Sequence, residues 1–175
     1  NEIDIMGPLG RGYDVLSLKK GQTALLVGGG IGVPPLYELV KQFNQRGIKT
    51  ITILGFNSKD EVFYEDEFKK FGETYVSTVD GSVGTKGFVT DVIKKLQEEN
   101  KLVFDKYYSC GPAPMLKALV NTVGEDGYIS LENRMACGIG ACYACVCKKK
   151  DKKKDAYTRV CYDGPVYLAS DVEIE

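Results

Sequence analysis

From residue 23 onward the chain alternates between short apolar runs and stretches in which apolar residues recur every three or four positions. Thr23–Val27 (TALLV) is a continuous apolar run that ends in a glycine cluster, as expected of a buried parallel strand. Between Pro35 and Arg46, Leu36, Leu39, Val40 and Phe43 fall at i, i+3, i+4 and i+7, and the pattern stops at Gly47. That spacing predicts an amphipathic helix with a glycine terminator. Lys49–Leu54 (KTITIL), Thr74–Val79 (TYVSTV) and Phe104–Cys110 (FDKYYSC) predict three further strands. Helical spacing returns over Glu65–Phe71, over Phe88–Glu99 through Val89, Val92, Ile93 and Leu96, and over Pro114–Val123. Strands alternating with helices predict an α/β fold built on an open parallel sheet. Ligands of such sheets sit at the carboxyl ends of the strands, at a topological switch point.

Beyond Gly127 the texture changes, as cysteines, glycines and a lysine run replace the helical periodicity, and a module boundary is expected near Leu131. The remainder reads as a small β-rich module. Lys148–Asp155 (KKKDKKKD) is expected to be a solvated hairpin tip without a function of its own. A chain of 175 residues with 43% hydrophobic content can bury one substantial core with a small satellite. Lys and Arg number 23 against 24 Asp and Glu, so there is no overall field to gather nucleic acid or an anionic membrane. No apolar stretch approaches the roughly 20 residues that span a bilayer, and no signal-peptide pattern opens the chain. A soluble, cytoplasmic protein is expected. The chain opens at Asn1 and runs straight into Glu2–Gly10 (EIDIMGPLG), which reads as the end of a preceding segment, so a truncated or cleaved polypeptide is expected.

Histidine is absent, which excludes imidazole triads, Rieske ligation and His-containing zinc sites. Any metal must rest on Cys, Asp or Glu. Cys137, Cys142 and Cys145, followed by the distant Cys161, give C-x4-C-x2-C and a fourth cysteine, the plant-type spacing for [2Fe-2S] ligation. Two irons sharing two sulfides need four thiolates, which a tight loop and one returning segment can supply. Gly138 and Gly140 suit that loop, because they can take positive φ and bring N–H groups close to the sulfurs. A four-cysteine zinc site is the alternative, although zinc ribbons show two C-x2-C knuckles and Cys161 has no such neighbour. Cys147 lies two residues past Cys145, reads as a buried strand residue, and leaves the ligand set open to one exchange.

The turn Gly28-Gly29-Gly30-Ile31-Gly32-Val33-Pro34-Pro35 joins the first strand to the first helix, where N–H groups and the helix dipole favour a diphosphate. From Gly30 it reads G-x-G-x-x-P, with Pro35 in the first helical turn. Asp80-Gly81-Ser82 follows the third strand and Cys110-Gly111-Pro112 the fourth, so small residues recur where a ligand would approach the backbone. Each alone is compatible with a simple turn. Together they outline one rim, with Gly28, Gly29, Gly30, Gly32, Pro35, Asp80, Gly81, Gly111 and Pro112 as candidate nucleotide-binding residues.

In combination, GPLG near the start, GGGIGVPPL after the first strand, YSCGP closing the fourth and LENRMACGIGACYACVC before a last Cys resemble the electron-transfer subunits of dihydroorotate dehydrogenase B, in the ferredoxin-NADP reductase superfamily. The resemblance covers essentially the whole chain and is most specific over Glu132–Cys147. It implies a relay in which NAD(H) exchanges hydride with FAD, and FAD passes single electrons through a [2Fe-2S] cluster to an FMN-containing catalytic subunit that interconverts dihydroorotate and orotate. A heterotetramer with that subunit is implied. By the match, Gly30 and Gly32 would face the NAD diphosphate, and Cys110, as candidate catalytic residue, would lie with Gly111 near the nicotinamide and flavin. Asn57, Ser58 and Lys59 would lie near the adenine ribose, leaving NAD and NADP both open. The four cysteines would hold the cluster. Residues 1–15 would be the end of a flavin-binding barrel, 16–130 the NAD-binding domain and 131–175 the cluster domain. Without the rest of that barrel the chain is expected to retain little FAD and to be inactive alone. Related subunits of a sulfide dehydrogenase, ferredoxin:NADP oxidoreductase or hydrogenase are the nearest alternative, and a non-catalytic α/β module with structural zinc the more distant one.

Overall fold

The computed structural model describes residues 2–151 and 156–175. Five parallel strands form the centre of the sheet: β1 (Thr23–Gly29), β2 (Lys49–Phe56), β3 (Glu73–Thr78), β5 (Lys106–Cys110) and β6 (Gly127–Ser130). The two-residue β4 (Thr85–Lys86) and the antiparallel β9 (Val166–Leu168) complete an order of β4-β3-β2-β1-β5-β6-β9. The helices are α1 (Val33–Gln45), α2 (Glu65–Lys69), α3 (Val89–Glu98) and α4 (Ala113–Val123). The strand order turns back on itself at β1, which pairs with β2 on one side and β5 on the other, so the switch point falls at the end of β1.

Alternation along the strands divides the core in two. In β1, Ala24 and Leu26 face a cluster with Leu36, Leu39, Val40 and Phe43 of α1. Leu25 and Val27 face the opposite cluster with Val89, Val92, Ile93 and Leu96 of α3 and Leu116 and Leu119 of α4. The period of two in the strands thus meets the helical stripes on both faces, and each fully buried Leu, Ile or Phe contributes about 1.5–3 kcal/mol. The segment ahead of β1 is tied to β5, because the Tyr13 hydroxyl donates to the Ser109 carbonyl (2.8 Å) and Ser17 and Tyr108 share a hydroxyl hydrogen bond (2.7 Å).

The chain beyond Leu131 is not packed as a separate body. Cys145, Val160, Cys161, Ala169 and Val172 belong to the same buried cluster as α3 and α4. β9 is hydrogen-bonded to β6, so the expected boundary near Leu131 runs through a continuous sheet and core. The short hairpin β7 (Val146–Lys148) and β8 (Tyr157–Arg159) is antiparallel and flanks the lysine run. Of the expected hairpin tip Lys148–Asp155, Lys148 ends β7 and Lys150 pairs with Glu125 (2.7 Å), while residues 152–155 lie outside the described residues. Among the described residues no helix is long and apolar enough to cross a membrane.

Ile129 is fully buried in β6, between β5 and β9, the strand that returns from the cysteine segment. Ile129→Ala is expected to lower the unfolding free energy by about 2–5 kcal/mol. Denaturant unfolding followed by far-UV circular dichroism should show one cooperative transition; two separated transitions would contradict the single continuous core.

Candidate functional site

The ends of β1, β2 and β3 and the start of α4 open onto a cavity of about 450 Å³. Gly29, Gly30 and Gly55 contribute backbone, while Phe56, Phe88 and Met115 give it apolar walls. At α3 the Asp91 carboxylate accepts the Phe88 N–H (2.8 Å), which fixes the helix start and leaves the Phe88 ring exposed at the cavity. One polar atom in the wall has no partner. The Ser77 Oγ is fully buried and makes no hydrogen bond. A buried hydroxyl left unpaired is costly, so a ligand donor or acceptor reaching it would satisfy it.

The turn into α1 depends on how closely it lies against β5. A β-carbon at residue 32 would stand 2.2 Å from the Cys110 carbonyl oxygen and 2.7 Å from the Gly111 nitrogen. Only glycine permits that approach. Gly30 has φ 52°, nothing within 4 Å of where its side chain would be, and a place in the cavity lining. The first turn of α1 carries no acidic residue, so its dipole remains available to an anion, although Pro34 and Pro35 have no N–H and the Val33 N–H donates to the Gly30 carbonyl.

Of the expected rim, Gly29, Gly30 and Pro112 line the cavity, with Pro112 capping α4. Gly28 is buried within β1 against Val33, and Gly32 is occupied by its contact with β5. Pro35 is exposed in the first turn of α1, outside the lining. Asp80 and Gly81 also lie outside it; the Asp80 carboxylate accepts the Ser82 hydroxyl (2.6 Å) and N–H (2.9 Å), which hold its pKa below the usual range. Gly111 points at Met115. Cys110 is buried at the end of β5, and burial raises its thiol pKa, so it is neutral at physiological pH. Of Asn57, Ser58 and Lys59, only Asn57 lines the cavity, and its side-chain amide donates to the Glu61 carboxylate (2.8 Å), also in the lining. Ser77, Glu61, Phe88 and Met115 were not foreseen. Phe88 reads simply as a helix start, and nothing marks which face of β3 Ser77 occupies.

The cysteines converge from two segments. Gly138 (φ 70°) and Gly140 (φ 81°) take the left-handed conformation in a loop without regular structure. The Cys142 N–H donates to the Cys137 sulfur (3.4 Å), and the Cys161 N–H to the Cys145 sulfur (3.3 Å). The Val160 N–H donates to the Cys145 carbonyl (2.9 Å), joining the second pair by a backbone bond as well. The N–H groups of Cys142 and then Ile139 draw the Cys137 thiol down to about 6, whereas a hydrogen bond from the Cys145 side chain raises Cys161. Cys145 and Cys161 are buried and Cys142 is exposed. The N–H contacts to sulfur link Cys137 with Cys142 and Cys145 with Cys161. Cys147 sits apart on β7, half-buried, its thiol pushed up to about 11 chiefly by burial.

Gly32→Ala is expected to force β5 and α1 apart, lowering the thermal unfolding midpoint and weakening nucleotide binding at least tenfold; unchanged binding by titration calorimetry would refute the role given to that contact. In the metal-free chain Cys137 is thiol below its pKa of about 6 and thiolate above it, whereas Cys147 stays protonated up to about 11. Iodoacetamide at pH 7.5, read by peptide mass spectrometry, should therefore label Cys137 and spare Cys147.

Residues 26–121 match the family model for the oxidoreductase NAD-binding domain, and residues 132–173 that for the iron-sulfur cluster binding domain of dihydroorotate dehydrogenase B. The chain is 92% identical over 175 residues to the electron transfer subunit of dihydroorotate dehydrogenase B (NAD(+)) of Fusobacterium nucleatum subsp. nucleatum, matching 100% of this chain and 67% of that one. The subunit of the same name from Lysinibacillus sphaericus is 58% identical over 167 residues, 95% of this chain and 63% of that one. The chain thus spans about two thirds of the length of these relatives. Among solved structures, an NADH-dependent reduced ferredoxin-NADP oxidoreductase superimposes with a TM-score of 0.82 at 32% identity, over 98% of this chain and 60% of that one. The C-terminal domain of the PF1911 hydrogenase from Pyrococcus furiosus shares the fold, with a TM-score of 0.54 at 18% identity over 71% of this chain and 100% of that one. A glycine-turned parallel sheet followed by paired cysteines, with these matches across both, makes the chain a member of the family of dihydroorotate dehydrogenase B electron transfer subunits.

Proposed function

We propose that the chain carries electrons between NAD(H), FAD and a [2Fe-2S] cluster, to or from an FMN-containing catalytic subunit that interconverts dihydroorotate and orotate in pyrimidine biosynthesis. The observation that most supports this is the ordering of the four cysteines into two pairs beside a sheet whose switch point opens on a nucleotide-sized cavity. When bound, nicotinamide supplies electrons as hydride, flavin divides them, and the cluster moves them singly.

The chain's own residues bind and orient. The Gly30 turn and the positive end of the α1 dipole would take the diphosphate. The Glu61 carboxylate, held by Asn57, would accept ribose hydroxyls and repel a 2′-phosphate, which favours NAD over NADP. Ser77 would complete its hydrogen bonding on the ligand, and Phe88 and Met115 would exclude water beside it. Cys110 offers a neutral, polarizable thiol at the strand end rather than a thiolate nucleophile. Cys137 with Cys142 would hold one iron and Cys145 with Cys161 the other, the first pair presenting a thiolate already stabilised by N–H donors.

No described residue is placed as an acid or base for dihydroorotate, so that chemistry is assigned to the partner, with which a heterotetramer is proposed, and the 175 residues alone are not expected to turn it over. The described cysteines are all free, which suits the reducing cytoplasm. The structural likeness to a ferredoxin-NADP oxidoreductase favours one second reading, a subunit serving ferredoxin instead.

Reconstitution with ferrous iron and sulfide is expected to give about two of each per chain and a rhombic EPR signal on reduction. Stoichiometric zinc without sulfide would overturn the reading. Tighter binding of NADH than NADPH is expected at the cavity. Co-purification with an FMN subunit showing dihydroorotate-dependent NAD reduction separates the first reading from the ferredoxin one.

A further inference from the structure

Between residues 132 and 144 the cysteine-bearing loop makes no backbone–backbone hydrogen bond among the described residues. It also contains a non-glycine residue in the left-handed region, Tyr143 at φ 57°, between Cys142 and Cys145. Such a conformation is unfavourable for a residue with a side chain and persists where its surroundings enforce it. What enforces it converges on one side chain of the opposite segment, Arg159, at the end of β8 and two residues before Cys161.

All three nitrogens of the Arg159 guanidinium are engaged. Nε and Nη2 donate to the two carboxylate oxygens of Asp163 (2.9 and 3.2 Å), and Nη1 donates to the Gly140 carbonyl (3.0 Å). Its Cζ lies 4.6 Å from the Tyr162 ring centroid and 5.3 Å from that of Tyr143. Gly140 is pressed onto Tyr162 closely enough that a β-carbon would stand 2.8 Å from the Tyr162 Cβ. An ordinary hairpin ion pair would account for Asp163 alone. It would not account for the third bond into the loop or the two rings, and the Arg159 side chain is only 25% exposed.

The bond to Gly140 holds the middle of the C-x4-C loop, and the guanidinium brings a positive charge to it. N–H donors to cluster sulfurs and nearby positive charge both favour the reduced, more negative state and so raise the reduction potential.

We infer that Arg159 is a positioning residue for the cluster: it locks the Cys137–Cys145 loop to the Cys161 segment through Gly140, Tyr143 and Tyr162, and its positive charge raises the cluster's potential. This rests on the reading of the four cysteines as [2Fe-2S] ligands.

The test reconstitutes the wild-type chain, Arg159→Gln and Arg159→Lys with ferrous iron and sulfide. Each is then measured for iron and sulfide content, rate of cluster bleaching in a chelator, midpoint potential by EPR-monitored titration, and NADH affinity. Arg159→Gln should bleach roughly tenfold faster or more, and its remaining cluster should titrate at a more negative potential, with NADH affinity unchanged. Arg159→Lys keeps the charge but loses the fork and the flat stacking surface, so it should bleach at an intermediate rate with a smaller shift. Wild-type protein that takes up no sulfide overturns the cluster reading itself. Wild-type protein that loads, with an Arg159→Gln variant equal to it in bleaching rate and potential, overturns this inference alone. Should Arg159→Gln fail to fold, the comparison moves to Arg159→Lys, and wild-type behaviour there overturns the inference.

Discussion

The nucleotide end of the molecule depends on the close seat of α1 on the end of β5. Because residue 32 has no side chain, the first turn of the helix rests on the Cys110 carbonyl, and that contact sets Gly30, Pro112 and the ends of three strands around one opening. The same β5 pairs with β6, and β6 with β9, which returns from the cysteine segment. One strand therefore carries the geometry of both sites, and a shift at its end is felt in each.

The sheet also separates the thiols. Cys110 belongs to the core on the α1 face, with Tyr108 and Phe43, whereas Cys145 and Cys161 belong to the core on the α3 and α4 face, with Tyr107 and Ile129. The cluster segment is accordingly built onto the back of the nucleotide-binding sheet, sharing its apolar interior. Its cysteines rest against a parallel sheet on one side and on a loop fixed by side chains on the other.

Much of the fold could be read along the chain, because strong periodicity leaves little choice: Leu36, Leu39, Val40 and Phe43 make one stripe whatever follows, and TALLV ahead of glycines makes a buried strand. β4, β6 and β9 escaped because two to four residues carry no period, and their conformation comes from the neighbours they pair with. The site was legible in part for the same reason. Position along the chain places Gly30 and Pro112 at strand ends, but says nothing of which side of a turn faces the opening, so Pro35, Asp80 and Gly81 were grouped with a cavity they do not line. Ser77, Glu61 and Arg159 act across long loops, through distances that exist only once the chain is folded. C-x4-C-x2-C announces four ligands; their division into pairs is a property of the folded loop.

That division is unequal. Cys145 and Cys161 are sealed in the core, while Cys142 stands open to solvent and Cys137 is only partly covered. A cluster held there has a shielded half and an open half. Oxygen, chelators and proton donors would reach the Cys142 side before the Cys145 and Cys161 side. The buried pair would stay fixed by the core while the exposed pair faces solvent, so the two sides of a bound cluster would differ in how readily solutes reach them.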